Sequence, residues 1–363
     1  MKAAVLQELN SPLVVENVDF QGPQAGEVLV KVAATGVCHS CYHAVTGNLS
    51  VPLPAVLGDE GAGVVEEVGE GVTLVRPGDH VILSWAPSCG NCVYCIQGYP
   101  AVCLMASRIP RGFMADGTTR YRVNGEPVYH FANISSFGEY TVIAEESAIP
   151  IGKDIPLDKA ALVGCSVTTG VCAVTNTARV RPGSSVAVFG VGGIGLNVVQ
   201  GAVLSGAEKI IAIDLLDAKL EMAKRLGATH TINAAAGDPV PEVHALTDGL
   251  GAEYAFEAIG TKTTYEQTVR AIRSRGMAVW IGAPPREPLS IDAGVVFWGE
   301  KTIMGSNYGS ARPRHDMPRL LALYKSGRLK LDELVTRTYR LEQINEAFDD
   351  MLRGKVARGV IRF

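Results

Sequence analysis

The sequence predicts an α/β protein of two domains, one β-rich and one a doubly wound parallel sheet. Three observations carry that expectation. The chain has 363 residues, more than one compact core takes up at roughly 100–200 residues per domain. Its first part, to about Pro150, consists of short alternating runs punctuated by Gly and Pro, the pattern of a folded-over barrel or sandwich. Beyond Pro150, apolar strands alternate with helical stretches, the pattern of a parallel sheet covered by helices.

In the first part, residues 27–33 (EVLVKVA) alternate and residues 61–68 form a short apolar run. The turn Arg76-Pro77-Gly78-Asp79 leads into a strand over 80–83. In the second part, strands are predicted over 185–190, 209–214, 254–257 and 277–281, with helices over 194–204, 218–226 and 265–272. The tail from about Tyr308 should add helices over 317–326 and 342–353 and a closing strand over 359–363.

Composition excludes several classes of function. The chain is 47% hydrophobic and 19% charged with a net charge of −4, so it can bury a core. No Lys/Arg cluster predicts a nucleic-acid or anionic-membrane partner. Residues 160–178 and 182–207 carry no charge, but turn glycines together with Asn197 and Gln200 make buried α/β elements the better reading than membrane spans. Met1–Leu6 is followed at once by Gln7 and Glu8, so no signal-peptide core is expected there. A soluble, cytoplasmic protein is the expectation, and in that compartment cysteines serve metal or chemistry rather than disulfides.

Two counts stand out, 40 glycines and 8 cysteines. Some of the glycines have a task. Gly190-Val191-Gly192-Gly193-Ile194-Gly195 fits G-x-G-x-x-G, preceded by the strand Val186-Ala187-Val188-Phe189 and followed by an apolar helix. In that context Gly190 permits the tight turn, Gly192 admits a pyrophosphate to the backbone, and Gly195 lets helix and strand pack closely. The phosphates then meet the free N–H groups of a helix start. Asp214 ends the next strand, where a carboxylate accepts from a ribose and repels a 2′-phosphate, and Leu215-Leu216 offer no basic residue to receive one. NAD is therefore favoured over NADP.

The cysteines divide by spacing. Cys89-x2-Cys92-x2-Cys95-x7-Cys103 brings four thiols into one short segment that Gly90, Gly98 and Pro100 allow to wrap. Four thiolates close a tetrahedron around zinc and leave no open position, which makes this a structural site; two disulfides are the alternative. Cys172 lies in an apolar helix and reads as a small hydrophobe. Cys38 and Cys165 lie beside polar clusters, Cys38-His39-Ser40-Cys41-Tyr42-His43 and Gly164-Cys165-Ser166-Val167-Thr168-Thr169, and spacing alone does not join them.

A resemblance does. The Cys-x-Ser cluster, Gly58-Asp59-Glu60-Gly61-Ala62-Gly63, the four-cysteine lobe, Gly164-Cys165, the glycine fingerprint and Ile281-Gly282-Ala283-Pro284-Pro285 together resemble the zinc-dependent alcohol dehydrogenases of the medium-chain dehydrogenase/reductase family, over essentially the whole chain. Residues 110–142 resemble class I and class III members in particular. The resemblance implies a GroES-like catalytic domain over 1–166 and 308–363, with the zinc lobe at 89–103, and a Rossmann NAD-binding domain over 167–307. It implies a catalytic zinc held by Cys38 and Cys165, and a proton path through Ser40, the cofactor ribose and His43. It sets His39 at the cofactor pyrophosphate, Lys219 at the adenosine ribose and Thr169 beside the nicotinamide, with Ile281 among the cofactor-binding residues. Gly193 and Ile194 belong to the phosphate loop, and Trp85 and Phe137 fall at substrate-pocket positions. A homodimer or homotetramer is implied as well.

One departure matters. The family's middle zinc ligand is the His of G-H-E, and here that position is Asp59; the Asp that usually supports the histidine is Cys41. Zinc with two thiolates and an imidazole is formally neutral, whereas with Asp59 it is negative and a poorer Lewis acid. Carboxylate oxygen is still a legitimate zinc ligand. Asp59 is the expected ligand, with a metal-poor site and ligation by Cys41 as the alternatives. Glu60 is the neighbouring carboxylate and a further candidate ligand, and Arg358 a candidate to offset the charge. The implied activity is NAD-dependent, zinc-assisted interconversion of an alcohol and a small-molecule aldehyde or ketone. A reductase of conjugated C=C or C=N bonds with a weakened zinc site, and a non-catalytic binding protein, are the rivals.

Overall fold

A computed structural model describes all 363 residues. The chain divides into two units, Met1–Ser166 with Arg312–Phe363, and Val167–Ala311. Residues 308–311 fall with the second unit because Gly309 packs so closely on the backbone of the helical run through Cys172 that a Cβ there would stand 2.8 Å from Thr169 O and Ala173 N.

The first unit is built around the strand Glu27–Gly36, whose alternating sequence buries nearly every side chain except Lys31. It pairs antiparallel with Gly61–Val68, Tyr140–Ala144 and the C-terminal strand Arg358–Arg362, and the sheet extends through His80–Leu83 to Ala148–Ile151. Two register shifts, between Leu29/Val30 and Val32/Ala34, let one strand serve several partners. A second sheet runs in the order Val14–Asn17, Lys2–Leu6, Ala55–Val56, Glu126–His130, Tyr121–Val123, Asp19–Phe20. Two sheets with valine-rich inner faces confirm the β-rich expectation. Cys38 lies just past the end of the strand Glu27–Gly36, with only Val37 between, and caps the helix His39–Val45, so the longest strand of the unit delivers the first candidate ligand.

The helix after Pro156 departs from α geometry where it matters. Leu157–Leu162 is α-helical, but Val163–Val167 forms a π-helical turn, the widened kind of turn that proteins keep at functional positions. Cys165 sits in it. Gly164 beside it touches the neighbouring strand: a Cβ there would lie 2.8 Å from Leu83 O. The run Leu157–Ala178 is apolar and long enough to cross a membrane by composition, yet 83% of its most apolar window is buried inside the protein. It is a core helix, as the uncharged stretch 160–178 suggested.

The second unit is a six-stranded, wholly parallel sheet in the order His230–Asn233, Lys209–Asp214, Ser185–Phe189, Ala252–Glu257, Ile272–Trp280, Thr302–Gly305. The third strand in chain order lies at one edge and the first and fourth pair in the centre, so the order reverses beside Ser185–Phe189. That crevice is where open α/β sheets bind ligands. The predicted strands are present within a few residues, except that the strand expected over 277–281 begins at Ile272, because a register irregularity at Ala252/Tyr254 absorbs Arg273–Gly276. The strands His230–Asn233 and Thr302–Gly305 and the helices Val240–Leu246 and Ala293–Trp298 were not anticipated. Thr302–Gly305 is an edge strand, and beside it Phe297 and Trp298 are 70% and 83% exposed.

Gly164→Ala tests the close approach at the π turn. The added methyl meets backbone rather than a movable side chain, so the substitution should cost about 1–3 kcal/mol in urea unfolding, whereas Gly183→Ala, in open space at a left-handed turn, should register only its backbone strain.

Candidate functional site

The metal-binding residues of the first unit gather at two places. In one, the sulfur atoms of Cys89, Cys92, Cys95 and Cys103 all lie within 4.8 Å of one another. Gly90 and Gly98 take left-handed conformations at φ of 74° and 87°, which lets so short a segment turn back on itself. Cys103 Sγ accepts N–H bonds from Cys89 and Met105 at 3.4 Å. The N–H groups of Leu104 and Cys95 bring Cys92 down to about 6, favouring thiolate. No cysteine is in a disulfide, and Cys103 stands 3.4 Å from Cys89 and 3.8 Å from Cys92, sulfur to sulfur. Those are spacings of ligands around one ion, and the donor set suits zinc.

In the other, Cys38, Asp59 and Cys165 are buried with their donor atoms within 4.8 Å of one another. Three different segments supply them, and glycines make their meeting feasible. Gly58 takes φ of 101°, and a Cβ on it would lie 2.6 Å from Phe137 N. That bare Cα turns Asp59 inward. Cys165 Sγ lies 3.8 Å from Asp59 Oδ2, close to the roughly 3.6 Å that ligands of a tetrahedral zinc keep from one another. Ser40 Oγ donates to Cys38 Sγ at 3.0 Å and also lies on Asp59 Oδ2. Cys41 Sγ sits 3.3 Å from the other oxygen, Oδ1. The donor set is two sulfurs and one carboxylate oxygen, which fits zinc with a fourth position left for substrate.

Electrostatics agree with that use. The hydrogen bond from Cys165, helped by Arg358 and Ser40, draws Cys38 well below the usual thiol range, while Cys165 as the donor is held above it. Burial, then the Cys38 sulfur, pushes Asp59 up to about 7. Three acidic groups crowded out of water resist carrying charge together until a cation joins them.

Glu60 and Arg358 do not join the donor set. Glu60 is wholly buried and pairs with Arg358, and its Oε1 accepts from Ser166 N at 2.9 Å and Ser166 Oγ at 2.7 Å. Both oxygens are committed. The ion pair fastens the C-terminal strand and the π turn to the segment carrying Asp59, while Arg358 adds positive potential at Cys38 and Asp59. Ser166 was not singled out in the sequence, although a hydroxyl next to a ligand cysteine was the available signal.

Ser40, Cys41 and His43 share the helix His39–Val45. His43 is half-buried, burial lowers its pKa, and its Nδ1 lies 3.4 Å from Asn48 Nδ2. His39 opens the helix in an exposed position. Trp85 is partly buried against the valine-rich core. Phe137 is fully buried, edge-on to Phe348 at 6.1 Å. His80 and His130 stay outside the site; His130 is stacked on Tyr121 at 4.3 Å and burial brings it down to about 3.

In the second unit the fingerprint has the expected backbone. Gly190 has φ of 85°, and a Cβ on Gly195 would stand 1.8 Å from Gly190 O. Around Gly192 nothing lies within 4 Å of where a Cβ would be, and as N-cap of Gly193–Leu204 it offers no side chain to the free N–H groups. The turn is thus an open cradle with exposed donors, suited to a pyrophosphate. Asp214 braces it: Oδ2 accepts from Val191 N at 3.0 Å and Oδ1 from Leu215 N at 2.8 Å, with Lys219 Nζ at 3.9 Å. Ile281 N is held by Glu257 O at 2.9 Å. Thr169 is buried in Thr168–Cys172, and Cys172 is buried in the same helix. Glu257 was not anticipated. Its buried Oε1 accepts from Ile259 N at 3.0 Å, Gly260 N at 2.8 Å and Thr264 Oγ1 at 2.7 Å, and its Oε2 has no partner. A buried acid closing a central strand was the signal.

The raised Asp59 pKa carries a sign. In the metal-free protein, protonation of Asp59 favours the folded state below pH about 4, and that contribution is lost as pH rises through about 7. Metal-stripped protein should therefore lose stability across that range, by up to a few kcal/mol at about 1.4 kcal/mol per unit. Asp59→Asn, metal-stripped, should lack this component in thermal unfolding at matched pH.

Both units of the chain resemble known proteins. Residues 24–153 match the alcohol dehydrogenase GroES-like domain and residues 193–326 match the zinc-binding dehydrogenase family. The NDMA-dependent alcohol dehydrogenase of Amycolatopsis methanolica is 42% identical, the match covering 99% of this chain and 98% of that protein. The structure of an alcohol dehydrogenase zinc-binding domain protein from Burkholderia ambifaria superposes with a TM-score of 0.95 at 39% identity, covering 100% of this chain and 98% of that one. The benzyl alcohol dehydrogenase of Acinetobacter calcoaceticus gives 0.94 at 35% identity, covering 100% and 99%. With one relative alike over nearly its whole length and both halves matched by family, the chain belongs to the zinc-type alcohol dehydrogenases of the medium-chain dehydrogenase/reductase family.

Proposed function

We propose that this chain is an NAD-dependent, zinc-assisted alcohol dehydrogenase that interconverts an alcohol and an aldehyde or ketone. The observation that carries the reading is the buried group Cys38, Asp59 and Cys165 with the Ser40 hydroxyl lying on it. Cys38, Asp59 and Cys165 would hold the catalytic zinc, the four-cysteine lobe the structural one, and the Gly190–Gly195 turn with Asp214 the dinucleotide. When bound, zinc supplies a Lewis acid for the substrate oxygen and the dinucleotide supplies the hydride acceptor.

The chain's own residues manage the proton. Ser40 takes it at Oγ, close to the ligands and half-shielded from water, and gives up its own hydroxyl proton toward the surface. His43 lies one turn further along the same helix, and its lowered pKa keeps it neutral near pH 7 and able to accept a proton for release to solvent. His39, Lys219, Thr169 and Ile281 belong to the same proposal as cofactor contacts, and Trp85 and Phe137 as determinants of the substrate pocket. Assembly of copies of this chain is part of it, supported by the open outer edge of the strand Thr302–Gly305 and the exposed Phe297 and Trp298. Cytoplasmic location is part of the proposal as well, supported by eight cysteines none of which is in a disulfide.

Metal analysis with an alcohol panel tests the reading. Two zincs per chain are expected, falling to one in Asp59→Ala, together with oxidation of alcohols beginning with benzyl alcohol, the substrate in one relative's name. Each alcohol should be offered with added NAD and with NDMA, because a 42%-identical relative is NDMA-dependent. One zinc per chain, no alcohol oxidised with either acceptor, and reduction of a conjugated C=C or C=N bond would replace this reading with the rival reductase. Asp214→Ser should narrow the preference for NAD over NADP by roughly tenfold or more, read from binding titrations of both, since the carboxylate that repels a 2′-phosphate is gone.

A further inference from the structure

Asp59 is gripped on both of its oxygens, and the two grips differ in kind. Oδ2 faces Ser40 and Cys165, the side on which Cys38 and Cys165 converge. Oδ1 faces away from that convergence, onto Cys41 Sγ at 3.3 Å. Cys41 is fully buried, and its backbone belongs to the helix His39–Val45, two turns of which also carry Ser40 and His43. The group of donor atoms lying within 4.8 Å of one another comprises Cys38, Asp59 and Cys165 and leaves Cys41 out. Cys41 is therefore placed to touch the carboxylate but not to share its ion.

We propose that Cys41 is a positioning residue, whose S–H donates to Asp59 Oδ1 and so turns Oδ2 toward the pair Cys38 and Cys165. A carboxylate has two equivalent oxygens and rotates about its Cβ–Cγ bond. Without a donor on Oδ1, the buried oxygen has no partner, which costs free energy and leaves the ligand's orientation undetermined. A hydrogen bond to the outer face of a metal ligand sets its orientation and basicity, and loss of such a partner costs about 10–100-fold in metal affinity. The assignment rests on the proposed role of Asp59 as zinc ligand and concerns a different residue, so the two can fail separately.

The experiment is competition for zinc between the full-length protein and a chelator of known affinity, followed by metal analysis and run on the wild type, Cys41→Ser and Cys41→Ala. The four-cysteine lobe serves as internal reference, and thermal unfolding in the same buffers reports whether each variant folds. Wild type should hold two zincs. Cys41→Ala should hold the second about 10–100-fold more weakly with the first unchanged, and Cys41→Ser, whose hydroxyl still donates, should stay within about threefold of wild type. Equal affinity in Cys41→Ala and wild type would overturn the positioning role while sparing Asp59. Complete loss of the second zinc in both variants would overturn it in favour of Cys41 as a ligand. A wild type with one zinc would overturn both the role and the reading on which it rests.

Discussion

The chemistry of the first unit depends on a steric condition: three backbone segments must come together where no side chain can stand. Gly58 lies against the backbone of Phe137, Gly61 against Leu83 and Gly164 against the Leu83 carbonyl. Each of these glycines is next to, or within three residues of, a group that the site uses. Methyl groups there would hold apart the strand end, the loop and the π turn that supply the donor atoms. Close approach removes water as well, which explains why Asp59 resists ionisation and why Arg358 must accompany Glu60 into the interior.

The Glu60–Arg358 pair and the Asp59 group divide the work of two adjacent carboxylates. Glu60 spends its hydrogen-bonding capacity on Arg358 and Ser166, joining residues 298 and 106 positions away in sequence. Asp59, one residue earlier, points the other way into the thiol pair. The chain bends at Asp59, before the strand Gly61–Val68 begins, so the dipeptide Asp59-Glu60 can be fastener on one side and ligand on the other. In the second unit Asp214 works on the same principle. It binds three backbone N–H groups at once and so shapes the turn before any ribose arrives.

What the sequence disclosed follows the range of each interaction. The four-cysteine lobe and the glycine fingerprint are local, with all their chemistry inside one short segment, and spacing alone identified them. The meeting of Cys38, Asp59 and Cys165 is not local. Spacing was silent on it, and only resemblance to a family brought the outer two together. The π turn at Val163–Val167 left no trace in periodicity, since residues 160–174 are buried on every side and carry no one-sided apolar stripe for a widened turn to shift. Cys41 could not be placed from sequence because ligand and hydrogen-bond donor are the same thiol turned through different angles. Strands such as Lys209–Asp214 were legible through continuous apolar runs. Thr302–Gly305 was missed because an edge strand with one bare face carries no such run.

That edge strand has a consequence for handling the protein. Natural sheets blunt an open edge with lysine, proline, a bulge or a cover, because unpaired N–H and C=O groups template pairing with any other chain. Thr302-Ile303-Met304-Gly305 contains none of those guards within the strand, although Lys301 flanks it, and Trp298 beside it is 83% exposed. A second unit expressed by itself and left without a companion would offer a flat, apolar seed for aggregation. Solubility of that unit is thus bound up with the open edge at Thr302–Gly305, and lysine substitution at Met304 is the direct way to make the isolated unit tractable.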